Sequence, residues 1–338
     1  MGNEVTLKDL ARMANLSANT ISCALNNKPG VSAETRERVL SLADVHNYRP
    51  NMMARSMRGV QTKMIGVLVG DINDAFFVEL LSGVEEVARK ESMAIMVSNT
   101  NNNPRNEDVE LDMLLSYKCE NIVITPSGSD AGILQKLRSA GVNYVIADRT
   151  FPGVSQCNQV SIDNRTDAVS AVQHLISCGH RRIAIFNQRS EIATEKERTV
   201  GYRDALAVNG IPHCEAYERF IGEKAEIPAE CAALMALPEP PTAVFIAKDT
   251  LSMQIVSSLQ AQNVDIPGDL SVVIYGCPEW SQAFHPHFDC MVRPVKDIGR
   301  IAAEIIMENI HHGKDERGTS CVRLHSVLME KESVRKLV

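Results

Sequence analysis

The chain has 338 residues, 44% hydrophobic and 23% charged, an ordinary composition for a soluble globular protein with room for two or three domains. No apolar run reaches about 18 residues and no apolar segment opens the chain, which argues against a membrane span or export. The nine cysteines are scattered and never form C-x-x-C, which points to free thiols in a reducing cytoplasm and against a disulfide framework or a zinc site. A net charge of −7 would by itself argue against nucleic acid. The distribution reverses that: residues 1–62 carry eight Lys/Arg against five Asp/Glu, a surplus of +3, and leave −10 on the remainder. A basic head on an acidic body suits phosphate contact at one end only.

In chain order, Thr6 caps a first helix with Leu7, Leu10, Ala11 and Ala14 on one stripe. Asn15-Leu16 makes a tight connection, and Ser17 caps a second helix with Ile21, Ala24 and Leu25 inward. This helix is expected to expose Ala18, Asn19, Ser22 and Cys23, small enough to approach base edges. After a loop at 26–30, Ser32 caps a third helix with Val39, Leu42 and Ala43 inward. Two short helices on a tight turn with a third behind them form a helix-turn-helix arrangement. Residues 49–62 follow as a joint holding one short helix that should be marginal alone.

From residue 64 the pattern alternates. Apolar runs at 65–69, 94–97, 121–125 and 144–147 are separated by helical segments near 76–90, 105–118 and 131–140. A second series has runs at 182–186, 243–247 and 271–275, with helices near 165–178, 195–209, 226–236 and 249–262. Continuous apolar runs between helices predict parallel sheets covered on both faces, hence two doubly wound α/β subdomains with an interdomain cleft at the strands' carboxyl ends.

The first sixty residues resemble the DNA-binding headpiece of the LacI family. The matching positions are Val5-Thr6, Asp9-Leu10-Ala11, Ala14, Leu16-Ser17, Thr20-Ile21-Ser22 and Leu25-Asn26, then Ser32, Thr35-Arg36, Arg38-Val39, Tyr48, Pro50-Asn51 and Ala54 to Met57. The core resembles the family's periplasmic-binding-protein-like regulatory domain through DINDAFF (71–77), SIDN (161–164), HLISCGHRRIAI (174–185), ERTVGYRDAL (197–206), PTAVFIAKD (241–249), IPGDLSVV (266–273) and RPVKDIG (293–299). The resemblance implies chain crossovers near 162, 290 and 320 and a late helix (296–311) returning to the first subdomain. It gives a headpiece at 1–48, a hinge at 49–62, an N-terminal subdomain of 63–162 with 291–320, and a C-terminal one of 163–290 with 321–338.

For the headpiece it implies phosphate contacts from Thr6, Ser17, Thr20, Ser22, Asn26, Ser32 and Tyr48. In the hinge, Asn51 caps a helix that pairs with its dimer mate around Ala54 and places Met57 as an apolar wedge in the minor groove. Where the family commonly has an arginine for guanine, this chain has Cys23. Asn19 can read adenine, and Ala18 or Cys23 can meet a thymine methyl, so the half-site should depend less on guanine.

In the cleft, Phe76 and Phe77 match the turn that lies over the ligand, with Asp71 at the strand end and Asp148 at an acidic position; ordinary core packing is the other reading of one phenylalanine. Asp163 is read as structural, and so is His180. Arg198 matches the ligand-gripping arginine, the alternative being a surface salt bridge with Glu195 or Glu197. Two departures matter more. The family's A-N-D is here Ala247-Lys248-Asp249, and a carboxylate of its G-[FY]-D-D is replaced by Gly276. One cation gained and one anion lost favour an acidic effector, a sugar acid or sugar phosphate.

The expected function is a transcription regulator, a repressor, binding a palindromic double-stranded operator as a homodimer under control of a small-molecule effector. It would be cytoplasmic, nucleoid-associated when operator-bound, without membrane contact, cofactor or metal. No G-x-G-x-x-G or P-loop supports an enzyme. Gating by a partner protein is the alternative. No heptad tail at the end of the sequence suggests a tetramer.

Overall fold

The computed structural model describes residues 5–49, 62–128, 131–151, 157–190, 192–283, 285–312 and 319–337. They fall in two compact units, one ending at Thr62 and the other beginning at Lys63. The expected hinge helix lies outside the described residues.

The first unit holds three helices, α1 (Leu7–Ala14), α2 (Ala18–Leu25) and α3 (Ala33–Val45). Each begins at the hydroxyl the sequence nominates. Thr6 Oγ1 accepts the Asp9 N–H at 3.3 Å while the Asp9 carboxylate accepts the Thr6 N–H at 3.0 Å, a reciprocal capping box. Ser17 Oγ accepts from Thr20 N–H at 3.0 Å, and Ser32 Oγ from Thr35 N–H at 3.2 Å. Asn15 ends α1 in the left-handed region, which an asparagine tolerates. Leu10, Ala14, Ile21, Ala24, Val39 and Ala43 close the core, with Leu7, Ala11, Leu25 and Leu42 around it. So small a core needs braces that apolar periodicity does not reveal. Arg38 Nη2 donates to the Ala14 carbonyl and Arg36 Nη2 to that of Lys28, both at 2.8 Å.

The second unit opens with β1 (Met64–Val69), α4 (Ala75–Lys90), β2 (Ala94–Asn99), α5 (Pro104–Ser116), β3 (Asn121–Ile124), α6 (Gly132–Ser139), β4 (Asn143–Asp148) and β5 (Gln159–Ile162). It continues through α7 (Asn164–Ser177), β6 (Ile183–Gln188), α8 (Ala193–Val208), β7 (Glu218–Ile221), α9 (Ile227–Met235) and β8 (Ala243–Ile246). Then come α10 (Asp249–Ala261), β9 (Ser271–Tyr275), α11 (Trp280–Ala283), β10 (Asp289–Val292), α12 (Val295–His312), β11 (Cys321–Leu324) and β12 (Val327–Met329). Two six-stranded sheets result, β11-β5-β4-β3-β1-β2 and β12-β10-β9-β8-β6-β7. Every pairing is parallel except that of β12 with β10.

The apolar runs have the reason expected. In β1, Val67 and Val69 join a cluster with α4 and α12, whereas Leu68 joins one with α5 and α6, so both faces of the sheet are covered. The second sheet is likewise clad on both faces. Helices α4 and α12 cross almost backbone to backbone. A Cβ at Gly83 would collide with the Lys296 carbonyl and one at Gly299 with that of Leu80, so both positions require glycine.

The chain passes between the sheets three times. The first crossover falls at Asp163, whose carboxylate caps α7 by accepting the Thr166 N–H at 3.0 Å. The other two lie later than the expected 290 and 320, because β10 stays in the second sheet to Val292 and β11 pairs with β5 in the first to Leu324. Residues 321–324 therefore belong with the first sheet. These are short strands, β11 at a sheet edge with its side chains half exposed, and no long apolar run marked them. Strand β7 was missed for the same reason. No helix among the described residues is long and apolar enough to cross a membrane.

Candidate functional site

In the first unit, Ala18 and Asn19 are exposed at the start of α2, while Thr20, Ser22, Cys23 and Asn26 are half-buried. The open face is thus narrower than the sequence suggested and centres on Asn19. Thr6, Ser17 and Ser32 are exposed at three helix N-termini, where N–H groups and the helix dipole favour phosphate. Their hydroxyls are already engaged: Ser17 Oγ lies 2.8 Å from Thr20 Oγ1 and Ser32 Oγ donates to Thr35 Oγ1 at 2.8 Å. Asn26 Nδ2 donates to the Ser22 carbonyl at 2.7 Å, closing the end of α2. Tyr48 packs half-buried against the three-helix core. Asn51, Ala54 and Met57 lie outside the described residues.

In the second unit, a cavity of about 620 Å³ opens where the strands' carboxyl ends meet. The first subdomain lines it with Asp74, Asn102, Glu107, Ser127 and Arg149, the second with Gln188, Ser190, Ile192 and Lys248. The wall mixes polar and apolar surface and carries carboxylates, cations, two amides and hydroxyls, a set suited to a small, multiply hydrogen-bonding ligand. Beneath it lies a buried charge network. Arg198 Nη1 is 3.0 Å from Glu195 Oε2 and 2.6 Å from the Ala247 carbonyl, and Arg198 Nε donates to Asn164 Oδ1 at 3.0 Å. Lys248 Nζ stands 3.5 Å from the other oxygen of the same Glu195. Arg293 pairs with Asp249 and lies 4.8 Å over the Phe76 ring, while Arg198 lies 4.4 Å over that of Tyr275. Arg149 Nε is 3.8 Å from Asp148 Oδ2 and its Nη1 donates to the Pro126 carbonyl at 2.9 Å.

These neighbours divide the acids into two kinds. Burial opposes ionisation of Glu195, but Arg198 and Lys248 outweigh it and hold the carboxyl below its usual range. Asp249 is likewise buried, yet Arg293, Lys248 and Arg198 bring it to about 2. Burial wins at Asp148, which is pushed up despite Arg149 and Arg198. Asp74 is raised by burial and by the charge of Asp249. Burial also lifts Glu107 to about 7, even though both its oxygens lie 3.2 Å from the Ser127 N–H.

Of the residues nominated from the sequence, Lys248 lines the cavity and Asp148 lines a neighbouring one of about 560 Å³ with Asp163 and Arg323. Asp148 adopts a left-handed backbone with φ of 64°, uncommon away from glycine. Arg198 does pair with Glu195, but the pair is buried under the cavity floor and not on a helix surface. Lys248 already has a counter-charge within the protein, since Glu195 meets it from a helix distant in sequence. Phe76 and Phe77 are both core residues, packed edge to face at 5.2 Å, and neither lines the cavity. Asp71 braces its own turn, accepting from Asn73 N–H at 2.9 Å, and the acid that reaches the cavity is Asp74. Gly276 has φ of 100° and borders Asp249 and Arg293, so a glycine there suits the backbone as well as the charge balance. His180 is fully buried between Thr242 Oγ1 at 2.9 Å and the Arg335 carbonyl at 3.0 Å, a structural tie.

Sequence reasoning missed Glu107, Arg149 and Arg293 as site residues. Arg293 stands in a quoted motif and Arg149 follows Asp148, but their burial depends on the packing of both sheets.

Residues 6–51 match the family described as bacterial regulatory proteins, lacI family, and residues 62–328 match periplasmic binding proteins and sugar binding domain of LacI family. The chain is 30% identical to the HTH-type transcriptional repressor PurR of Vibrio atlanticus (strain LGP32), over 98% of this chain and 99% of that protein. It is 29% identical to catabolite control protein A of Priestia megaterium over 95% of this chain and 96% of that one. Its fold is similar to that of a lac repressor dimer bound to operator and the anti-inducer ONPF, with a TM-score of 0.86, 21% identity and coverage of 98% and 100%. These relatives are regulators and not enzymes. The chain belongs to the lacI family of bacterial regulatory proteins: it is a DNA-binding transcriptional repressor with a core of the periplasmic-binding-protein type.

Proposed function

We propose that the protein is a homodimer that binds a palindromic operator and answers to a small acidic effector, a sugar acid or sugar phosphate, in the cavity between its subdomains. One observation carries the acidic reading: a single carboxylate, Glu195, serves two cations, Arg198 and Lys248. Arg149 lines the same cavity as Lys248 from the other subdomain. Burial opposes ionisation of Asp74 and Asp148, and a bound carboxylate or phosphate would give Arg149 and Lys248 a further counter-charge. The mixed polar lining favours a small molecule over a partner protein as the cue. The lac repressor structure of similar fold is a dimer on its operator, which supports the same assembly here. Two-fold protein symmetry then requires a two-fold site. Effector binding would bias the two subdomains, and through the joint at 49–62 the spacing of the headpieces.

Isothermal titration of the full chain with neutral sugars and their aldonate or phosphate counterparts tests the effector; tight binding of neutral sugars alone would defeat the acidic reading. Selection from random duplexes tests the operator. The expected winners are inverted repeats whose half-sites lean on adenine and thymine, read by Asn19, Ala18 and Cys23, with binding lost in Asn19→Ala by about 1–3 kcal/mol per half-site.

A further inference from the structure

Away from the cavity, the loop leading into β10 and the segment after β12 bring two imidazoles and a carboxylate together. His285 Nδ1 lies 3.2 Å from Glu332 Oε2, and His287 Nδ1 lies 3.5 Å from Glu332 Oε1. The two rings are 4.4 Å apart, and the three potential donor atoms all lie within 4.8 Å of one another. No other group of His, Cys, Asp and Glu among the described residues meets that condition. A tetrahedral zinc ion with bonds of about 2.0–2.2 Å holds its ligand atoms about 3.3–3.5 Å apart. The two His–Glu separations, 3.2 and 3.5 Å to the two oxygens of one carboxylate, are close to that spacing.

The backbone fixes the arrangement. Glu332 N–H donates to the His287 carbonyl at 3.0 Å, and His287 N–H donates back to Glu332 Oε2 at 3.1 Å. The carboxylate is thus aimed at both rings by bonds that need no metal. Nitrogen with one oxygen is the ligand set of zinc, nickel or copper, whereas calcium and magnesium take oxygen alone.

We propose that His285, His287 and Glu332 form a binding site for a divalent transition-metal ion, zinc by chemistry, with a fourth position open to water. The ion cross-links the loop ahead of β10 to the C-terminal segment. Arg293 directly follows strand β10, so the clamp lies one strand away from the charge network under the cavity. The side chains are 78%, 36% and 53% exposed, which keeps the site accessible and its affinity modest.

The test uses chelator-stripped full-length protein titrated with Zn²⁺, and with Co²⁺ for its spectrum. The expected result is one ion per chain, a zinc-dependent rise in melting temperature, and an affinity at least tenfold weaker in His285→Gln, His287→Gln and Glu332→Gln. All three side chains are at least a third exposed, so melting in chelator should stay close to wild type and show that the variants fold. Equal affinity in the variants would overturn the proposal. So would an intense near-ultraviolet thiolate band with Co²⁺, which would place the ion at the cysteines.

Discussion

Glu195 and Arg198 are joined at 3.0 Å with both side chains almost wholly buried, and Lys248 leans on the same carboxylate from 3.5 Å. Removing that carboxylate leaves two cations without their counter-charge beneath the cavity. Glu195→Gln is expected to cost about 3–5 kcal/mol of core stability, the range for breaking a buried pair. Urea denaturation of the full chain measures it, and a loss below about 1 kcal/mol would show that solvent screens the pair.

Glu107 makes stability depend on pH. Burial raises its carboxyl from 4.5 to about 7 in the folded chain, so between those values the native state holds a proton that the unfolded state has released. Its contribution is fully present below about 4.5 and is lost as pH rises toward 7, then stays constant. Across that window the slope approaches about 1.4 kcal/mol per pH unit. Comparing denaturation midpoints from pH 4.5 to 7.5, Glu107→Gln should remove this slope.

Gly276 offers a direct probe of the cleft's charge. Its φ of 100° disfavours any side chain, and a Cβ there would stand 3.0 Å from Asp249 Cβ and 3.1 Å from Arg293 Nη2. Gly276→Ala should cost about 1–3 kcal/mol through backbone strain alone. Gly276→Asp adds a carboxylate beside Arg293, so it should weaken an acidic effector more than the alanine variant does. Titration of both variants separates strain from charge.

The headpiece is the place to test the caps. Ser17→Ala removes the acceptor for the Thr20 N–H and should cost about 1 kcal/mol, as should Thr6→Ala at the capping box. Because the headpiece core is small, such losses should appear as an earlier melting transition of residues 1–62 while the core transition stays put.

The headpiece and the sheet frame were legible in the chain because both rest on local patterns. A hydroxyl before an apolar stripe caps a helix, and an unbroken apolar run between helices favours a strand covered on both faces, as in six of the seven runs; β2, at a sheet edge, is the half-exposed exception. The seven long runs therefore became strands in the expected places. The short strands β5, β7, β10, β11 and β12 carried no such signal, because pairing with a partner distant in sequence defines them.

The cavity shows the same division more sharply. Residue identity announced Arg198 and Lys248 as cations, but not that Glu195 would stand between them. It set two phenylalanines at a turn, but only packing of α4 against the sheet sent both into the core and left Asp74 facing the cavity. Arg149 and Arg293 became site residues through the meeting of strand ends far apart in sequence. Charge and periodicity are written residue by residue, so the sequence alone determined the family, the helix-turn-helix and the paired sheets. Burial and ion pairing depend on what the folded chain brings alongside each group, so only the tertiary structure decided which charges are spent on one another and which remain to greet a ligand.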